Sequence, residues 1–234
     1  ALPPALTPLA KNFPISCNAR LPAAATAKRE RVPRMHIAIL TFDGFNELDS
    51  FIALGILNRV KKPGWRVSIA SPRAQVESMN GVTVSAQCAL AQAAQADAVL
   101  VGSGMLTRQV VNDAALMASL TLDPTRQLIG AQCSGTLVLA RLGLLADMPA
   151  CTDLITQPWV EEAGVSVLNQ AFFARQNLAT AGGCLASPYL AAWVIARLEG
   201  QAAAEAALHY VAPVGEKDRY VAGVMAQIGP YLAG

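Results

Sequence analysis

The chain has 234 residues, 53% of them hydrophobic, and a formal net charge of +2. That length allows one large domain or two small ones with a sizeable core, and the lack of an 18-residue apolar run argues against a membrane-spanning helix. The charge is uneven. Six basic residues and one acid fall within residues 1–34, so the remainder is net acidic, which argues against a nucleic-acid surface on it.

Residues 1–34 are rich in Pro and Ala, lack periodicity and have no continuous apolar segment of the kind a secretory signal needs. They are expected to be a leader or appended extension, with a single domain over residues 35–234. His36 to Thr41 predicts a buried strand, Asp43-Gly44-Phe45 a turn, and Asp49 to Val60 a helix ended by Pro63-Gly64. Trp65 to Ala70 predicts a second strand. Asn80-Gly81, between Val76 and Val82-Thr83-Val84, predicts a hairpin turn. A short helical link over Ala89–Ala96 leads to a buried strand, Ala98 to Val101. The small-residue loop Gly102-Ser103-Gly104 follows, then one helix over Met105–Leu120.

The next unit has the most distinctive pattern. An apolar run, Leu128-Ile129-Gly130-Ala131, turns at Gln132-Cys133-Ser134-Gly135 into a helix-period pattern through Leu137, Val138, Leu139 and Leu142. A strand passing directly into a helix with one thiol at the joint is a nucleophile-elbow layout. Helix-opening amides aimed at the thiol would favour the thiolate. Cys133 is therefore a candidate reactive centre; a buried structural cysteine is the alternative. Short strands are then expected at Ala150–Thr152, Val165–Val167 and Ala171–Ala174, with Asp153 capping a helix that ends at Gly164. Leu178-Ala179-Thr180 leads into Ala181-Gly182-Gly183-Cys184, and helices follow over Ser187–Leu198, 201–210 and 218–229. Strands alternating with helices imply a mostly parallel sheet covered on both faces.

The five cysteines are odd in number and show no CxxC pair. No disulfide framework or zinc site is expected, and a reducing cytoplasm fits best. His36 and His209 cannot make a multi-histidine metal site. Cys151, Cys184, Met79, Met105 and Met117 read as core residues, and Trp159 and Trp193 as core or dimer contacts. Ligands of open parallel sheets sit beyond the carboxyl ends of the strands. Three such loops supply carboxylates (Asp43, Glu47, Asp49), backbone amides (Gly102–Met105) and the thiol (Gln132–Gly135).

With these loops in hand, the chain from about residue 35 to 229 resembles the ThiJ/PfpI superfamily. The likeness rests on ILTFDGFNELD (39–49), AVLVGSG (98–104), AQCSGTLVLARLGLL (131–145), ACTD (150–153) and LATAGGCLASPYLAAWVIARLEG (178–200). It implies a flavodoxin-like three-layer α/β/α sandwich of class I glutamine amidotransferase type. Within the superfamily the chain looks most like the branch of isocyanide hydratases and the sensor domains of some AraC-type regulators. The resemblance makes Cys133 the elbow cysteine and Asp49 the acid beside it, able to move a proton; a helix N-cap is the companion reading of Asp49. It places oxyanion donors at the Gly104 and Ser134 amides. The Ser134 side chain would bond a ligand or cap the helix, and Asp43 and Glu47 would be solvated turn residues.

One departure is plain. Many relatives carry a histidine about 20 residues past the cysteine, where Asp153 stands here. Without it a peptidase is not expected. The resemblance then implies a cofactor-free, metal-free homodimer, a small-molecule hydratase or lyase that turns isocyanides into N-formamides. A non-catalytic or redox-responsive ligand-binding protein is the alternative. No nucleic-acid or membrane partner is implied.

Overall fold

The structure, a computed structural model, describes residues 34–232. The leader expected over residues 1–34 lies outside the described residues except for Arg34.

Nine strands and eight α-helices are described. In chain order they are β1 (Met35–Leu40), α1 (Glu47–Leu57), β2 (Trp65–Ser71), β3 (Gln75–Glu77), β4 (Thr83–Ser85), β5 (Cys88–Ala89), β6 (Ala98–Val101), α2 (Thr107–Asn112), α3 (Ala114–Ser119), β7 (Leu128–Gln132), α4 (Gly135–Arg141), α5 (Gln157–Glu162), β8 (Phe172–Arg175), β9 (Leu178–Ala181), α6 (Ser187–Glu199), α7 (Gln201–Val211) and α8 (Lys217–Ile228). Seven strands form one sheet in the order β5-β2-β1-β6-β7-β9-β8. Every neighbouring pair is parallel except β8–β9.

Alternation along the strands splits the core into two layers, because successive side chains leave a strand on opposite faces. Ile37 and Ile39 of β1 join the cluster packed under α1, α6, α7 and α8. Ala38 and Leu40 join the other, with Leu137, Val138 and Leu139 of α4 and Val160 of α5. Both faces of the sheet are thus covered, the flavodoxin-like α/β architecture that the sequence implies. No helix among the described residues is long and apolar enough to cross a membrane.

The chain leaves β1 for β2 on one side and then crosses back to β6 on the other. The switch point between β1 and β6 opens a crevice at their carboxyl ends. Two predicted loops border it, the segment after β1 and Gly102–Gly104.

Several elements differ from the sequence reading. The helix expected over Met105–Leu120 is two short helices, because the Asp113 side chain accepts a hydrogen bond from the Leu116 amide and starts a new one. Ala89–Ala96 contains a 3-10 helix over Leu90–Gln95. Ala150 and Val167 make only an isolated bridge. Helix α1 begins two residues before Asp49, and Asn46 is its cap, accepting from the Leu48 amide at 3.0 Å. That frees Asp49 from capping. Met79 and Met105 are exposed, Cys184 is half-buried, and only Cys151 of the cysteine pair lies in the core. Trp193 is fully buried. Trp159 stacks against the Arg108 guanidinium.

Candidate functional site

The elbow is held by close contacts on three sides. The Cys133 amide donates to the Ala181 carbonyl at 2.8 Å, at the end of β9. The Cys133 carbonyl accepts from the Thr152 hydroxyl at 2.8 Å and from the Thr136 amide at 3.1 Å. Gly135 packs α4 against the end of β6: a Cβ there would collide with the Val101 carbonyl and lie 2.8 Å from the Gly102 carbonyl oxygen. Cys133 itself has φ 47°, a left-handed conformation costing a side-chain-bearing residue about 1–2 kcal/mol. The surrounding contacts hold it there, as strained functional residues require.

Asp49 reaches the elbow from the first turn of α1. It is 2% exposed. The Ser103 hydroxyl donates to its Oδ2, and its Oδ1 has no hydrogen-bond partner among the described residues. A carboxylate oxygen of Asp49, the Cys133 sulfur and the Cys184 sulfur all lie within 4.8 Å of one another. Side-chain amides from Gln132 (3.6 Å) and Asn46 (3.2 Å) donate to the sulfurs of Cys133 and Cys184 respectively.

Burial pushes the Asp49 carboxyl above the usual carboxylate range; the Ser103 hydroxyl first, and then the neighbouring Cys184 and Cys133 thiols, favour its charge and oppose the rise, to which the charge of nearby Asp153 adds. Burial and then the Asp49 charge push the Cys133 thiol up, and the Gln132 amide opposes them. Burial is thus the largest influence on the thiol, and helix α4, which starts beside it, spans seven residues. A pocket that disfavours each anion accommodates one negative charge between the two groups better than two.

The predicted oxyanion donors are placed differently from each other. The Gly104 amide points at the Ser134 side chain, whose oxygen accepts it at 3.1 Å and lies 2.7 Å from the Thr107 hydroxyl. The Ser134 hydroxyl therefore bonds across to the loop after β6 and makes no cap bond on α4. The Ser134 amide itself donates to no protein acceptor among the described residues. Gly104 fits where it does because a Cβ would lie 2.5 Å from the Gly44 carbonyl oxygen.

The remaining candidates serve the frame. Asp153 accepts from the Ile155 and Thr156 amides and opens the turn before α5, as a capping residue does. Asp43 accepts from the Glu77 amide and pairs with Arg73. Glu47 accepts from Ser78 at 2.5 Å and from Asn80 at 2.8 Å. Asp43 and Glu47 thus pin the β3–β4 hairpin to the loop after β1 and are not free turn residues. His36 is the second residue of β1 and bonds Ser68, and His209 lies in the last turn of α7; neither contacts the elbow.

Cys184, Ser103, Thr107 and Gln132 escaped the sequence reading as site members. A signal for Cys184 was present: it follows the Gly182-Gly183 turn at the end of β9, a fourth carboxyl-end loop. The loops also carry exposed apolar side chains beside the site residues, namely Leu48, Met105, Leu154, Ile155 and Leu185.

No curated protein matches the chain in sequence. A model of the DJ-1/PfpI family matches residues 35–197. Among solved structures the chain is similar to a THiJ/PfpI family protein from Pseudomonas syringae, with 19% identity, a TM-score of 0.68, and coverage of 91% of this chain and 94% of that one. It is similar to Schizosaccharomyces pombe DJ-1 at 18% identity and a TM-score of 0.66, over 76% of this chain and 100% of that one. It is also similar to an AraC family transcriptional regulator from Pseudomonas putida, with 19% identity, a TM-score of 0.61, and 77% and 100% coverage. At these identities the structural likeness speaks for the fold alone.

Proposed function

The chain belongs to the DJ-1/PfpI family, and from that premise we propose that it is a cysteine-dependent small-molecule hydratase or lyase of the isocyanide-hydratase type. It acts on an uncharged organic substrate, as a homodimer in the cytoplasm, and the steps need no cofactor. The observation that carries this reading is the buried Asp49 carboxyl within 4.8 Å of the Cys133 sulfur.

With one proton shared by the pair, the reactive form places it on Asp49 and leaves Cys133 as thiolate. The sulfur bonds the terminal carbon of R–N≡C, and the Asp49 proton passes to that carbon, giving R–N=CH–S–Cys133. Water adds across the C=N bond, its oxygen to carbon and one proton to nitrogen. The C–S bond then breaks, the hydroxyl proton returns to Asp49, and R–NH–CHO leaves with the thiolate restored. The Ser134 amide supports the developing oxygen charge. The Gly104 amide joins it once the Ser134 hydroxyl turns away. The exposed apolar side chains of Leu48, Met105, Leu154, Ile155 and Leu185, close in sequence to the site residues, suit such a substrate. A peptidase, which needs a base and then an acid for its leaving amine, has no histidine here to supply either.

The test is turnover of aryl and alkyl isocyanides, followed by formamide appearance, with wild type beside Cys133→Ala. Wild-type turnover lost in the variant supports the reaction; turnover that survives the substitution excludes this mechanism.

The Ser134–Gly104 bond favours a second reading, a redox-responsive or non-catalytic ligand-binding protein, because it occupies one oxyanion donor. Peroxide that oxidises Cys133 selectively, in a protein that turns over no isocyanide, would favour it.

A further inference from the structure

Cys184 has no part in the steps above, yet its sulfur shares the cluster with Cys133 and Asp49. We propose that Asp49, Cys133 and Cys184 form a binding site for one thiophilic d10 cation, with zinc as the reference ion, and that an occupied site masks the elbow thiol.

The donor set suits such an ion. Two sulfurs and one carboxylate oxygen are soft-to-borderline ligands, the kind that select zinc over magnesium or calcium. Zinc–sulfur bonds of about 2.3 Å and zinc–oxygen bonds of about 2.0–2.2 Å put tetrahedral donors roughly 3.5–3.8 Å apart. The observed separations of up to 4.8 Å therefore need to contract by about 1 Å at most. Three protein ligands leave the fourth position open for water or an exogenous group.

Independent observations point the same way. Asp49 is almost completely buried, and its Oδ1 lacks a hydrogen-bond partner among the described residues. Buried acceptors are normally satisfied, so this atom is open to a ligand, while the Ser103 hydroxyl holds Oδ2. The sulfurs receive amide donors, Asn46 on Cys184 and Gln132 on Cys133. Outer-shell donors of this type orient metal ligands and tune their charge. Asp49 pairs with no Lys, Arg or His among the described residues. Three neighbouring groups that become anions, with no cation of their own, are what a divalent ion neutralises. A shallow cleft lined by Gly182, Gly183, Cys184, Leu185 and Tyr189 opens Cys184, one of the three ligands, to solvent.

The test uses the full chain, reduced and stripped of metal with a chelator. Cadmium should bind with one-to-one stoichiometry and produce the ultraviolet thiolate-to-metal charge-transfer band. Excess zinc should lower the band by competition and, bound alone, protect Cys133 from iodoacetamide. Cys184→Ser should roughly halve the band and weaken zinc binding by about a hundredfold or more; Asp49→Asn should weaken binding by about tenfold and leave the band intact. Cys88→Ala, on the edge strand β5, should change neither. Circular dichroism verifies that each variant folds, and Cys184→Ala serves if the serine variant does not. A wild type without a saturable band overturns the proposal, as does zinc affinity unchanged in folded variants at both positions. Reduced protein that binds no metal but oxidises to a Cys133–Cys184 disulfide also overturns it, in favour of a redox pair. Turnover is not a readout, so this result is separable from the fate of the proposed reaction.

Discussion

The Ser134 hydroxyl oxygen lies 3.1 Å from the Gly104 amide nitrogen and accepts its hydrogen, and it lies 2.7 Å from the Thr107 hydroxyl. This one side chain joins the start of α4 to the loop after β6 and so fixes the elbow against the switch-point crevice. Ser134→Ala leaves the part-buried Gly104 amide without that partner. The expected loss is about 1–2 kcal/mol of unfolding free energy, read from urea titrations. An unchanged midpoint would mean that the bond contributes nothing.

The left-handed backbone of Cys133 makes a prediction about substitution order. Glycine adopts φ 47° without the Cβ clash, a gain of about 1–2 kcal/mol, against an unfolded-state cost of about 0.5–1 kcal/mol relative to alanine. Cys133→Gly should therefore melt at or above the temperature of Cys133→Ala, the reverse of the order in a helix or strand. Both variants should lack turnover. Calorimetry on the pair distinguishes the two orders directly.

Asp49 sets a pH dependence whose sign follows from burial. Its folded-state pKa is raised, mainly by desolvation, so the folded chain holds the proton more tightly than the unfolded one. The associated stability is fully present below the unfolded carboxyl value and is lost as pH rises through the folded value. Wild type should lose stability relative to Asp49→Asn between acidic and neutral pH. Chemical unfolding of both proteins across that window measures the difference; parallel curves would show that the carboxyl titrates normally.

Gly135 is required by the carbonyl oxygens of Val101 and Gly102, which leave no room for a Cβ. Gly135→Ala should cost about 1–3 kcal/mol through overpacking and displace the thiol from Asp49. Gly143, where a Cβ would meet nothing although φ is 73°, is the comparison site, since its substitution carries backbone strain without a clash. Greater damage at Gly143 than at Gly135, in melting temperature and in turnover together, would contradict the packing argument.

The parallel sheet was legible because apolar runs such as Ala98-Val99-Leu100-Val101 and Leu128-Ile129-Gly130-Ala131 alternate with helix-period segments, and burial on both faces needs only that pattern. The break at Asp113 was not legible: the segment Met105–Leu120 keeps its helical composition, and one side chain competing for the Leu116 amide decides the boundary. The cap of α1 was misplaced for a similar reason. Asn46 and Asp49 are both good capping residues, and only the path of the chain out of β1 selects Asn46.

The sequence by itself determined that Cys133 stands at a strand-to-helix joint, that an acid precedes α1's apolar face, and that Asp153, not a histidine, stands about 20 residues past the elbow. Those are local facts, set by residue order and period. Tertiary structure decided the rest. Register among β1, β6, β7 and β9 brings Asp49, Ser103, Cys133 and Cys184 together beyond the carboxyl ends of the strands. Burial there raises the proton affinity of carboxyl and thiol together. Desolvation and the approach of like charges act through space, between residues far apart in sequence, and residue order carries no measure of either.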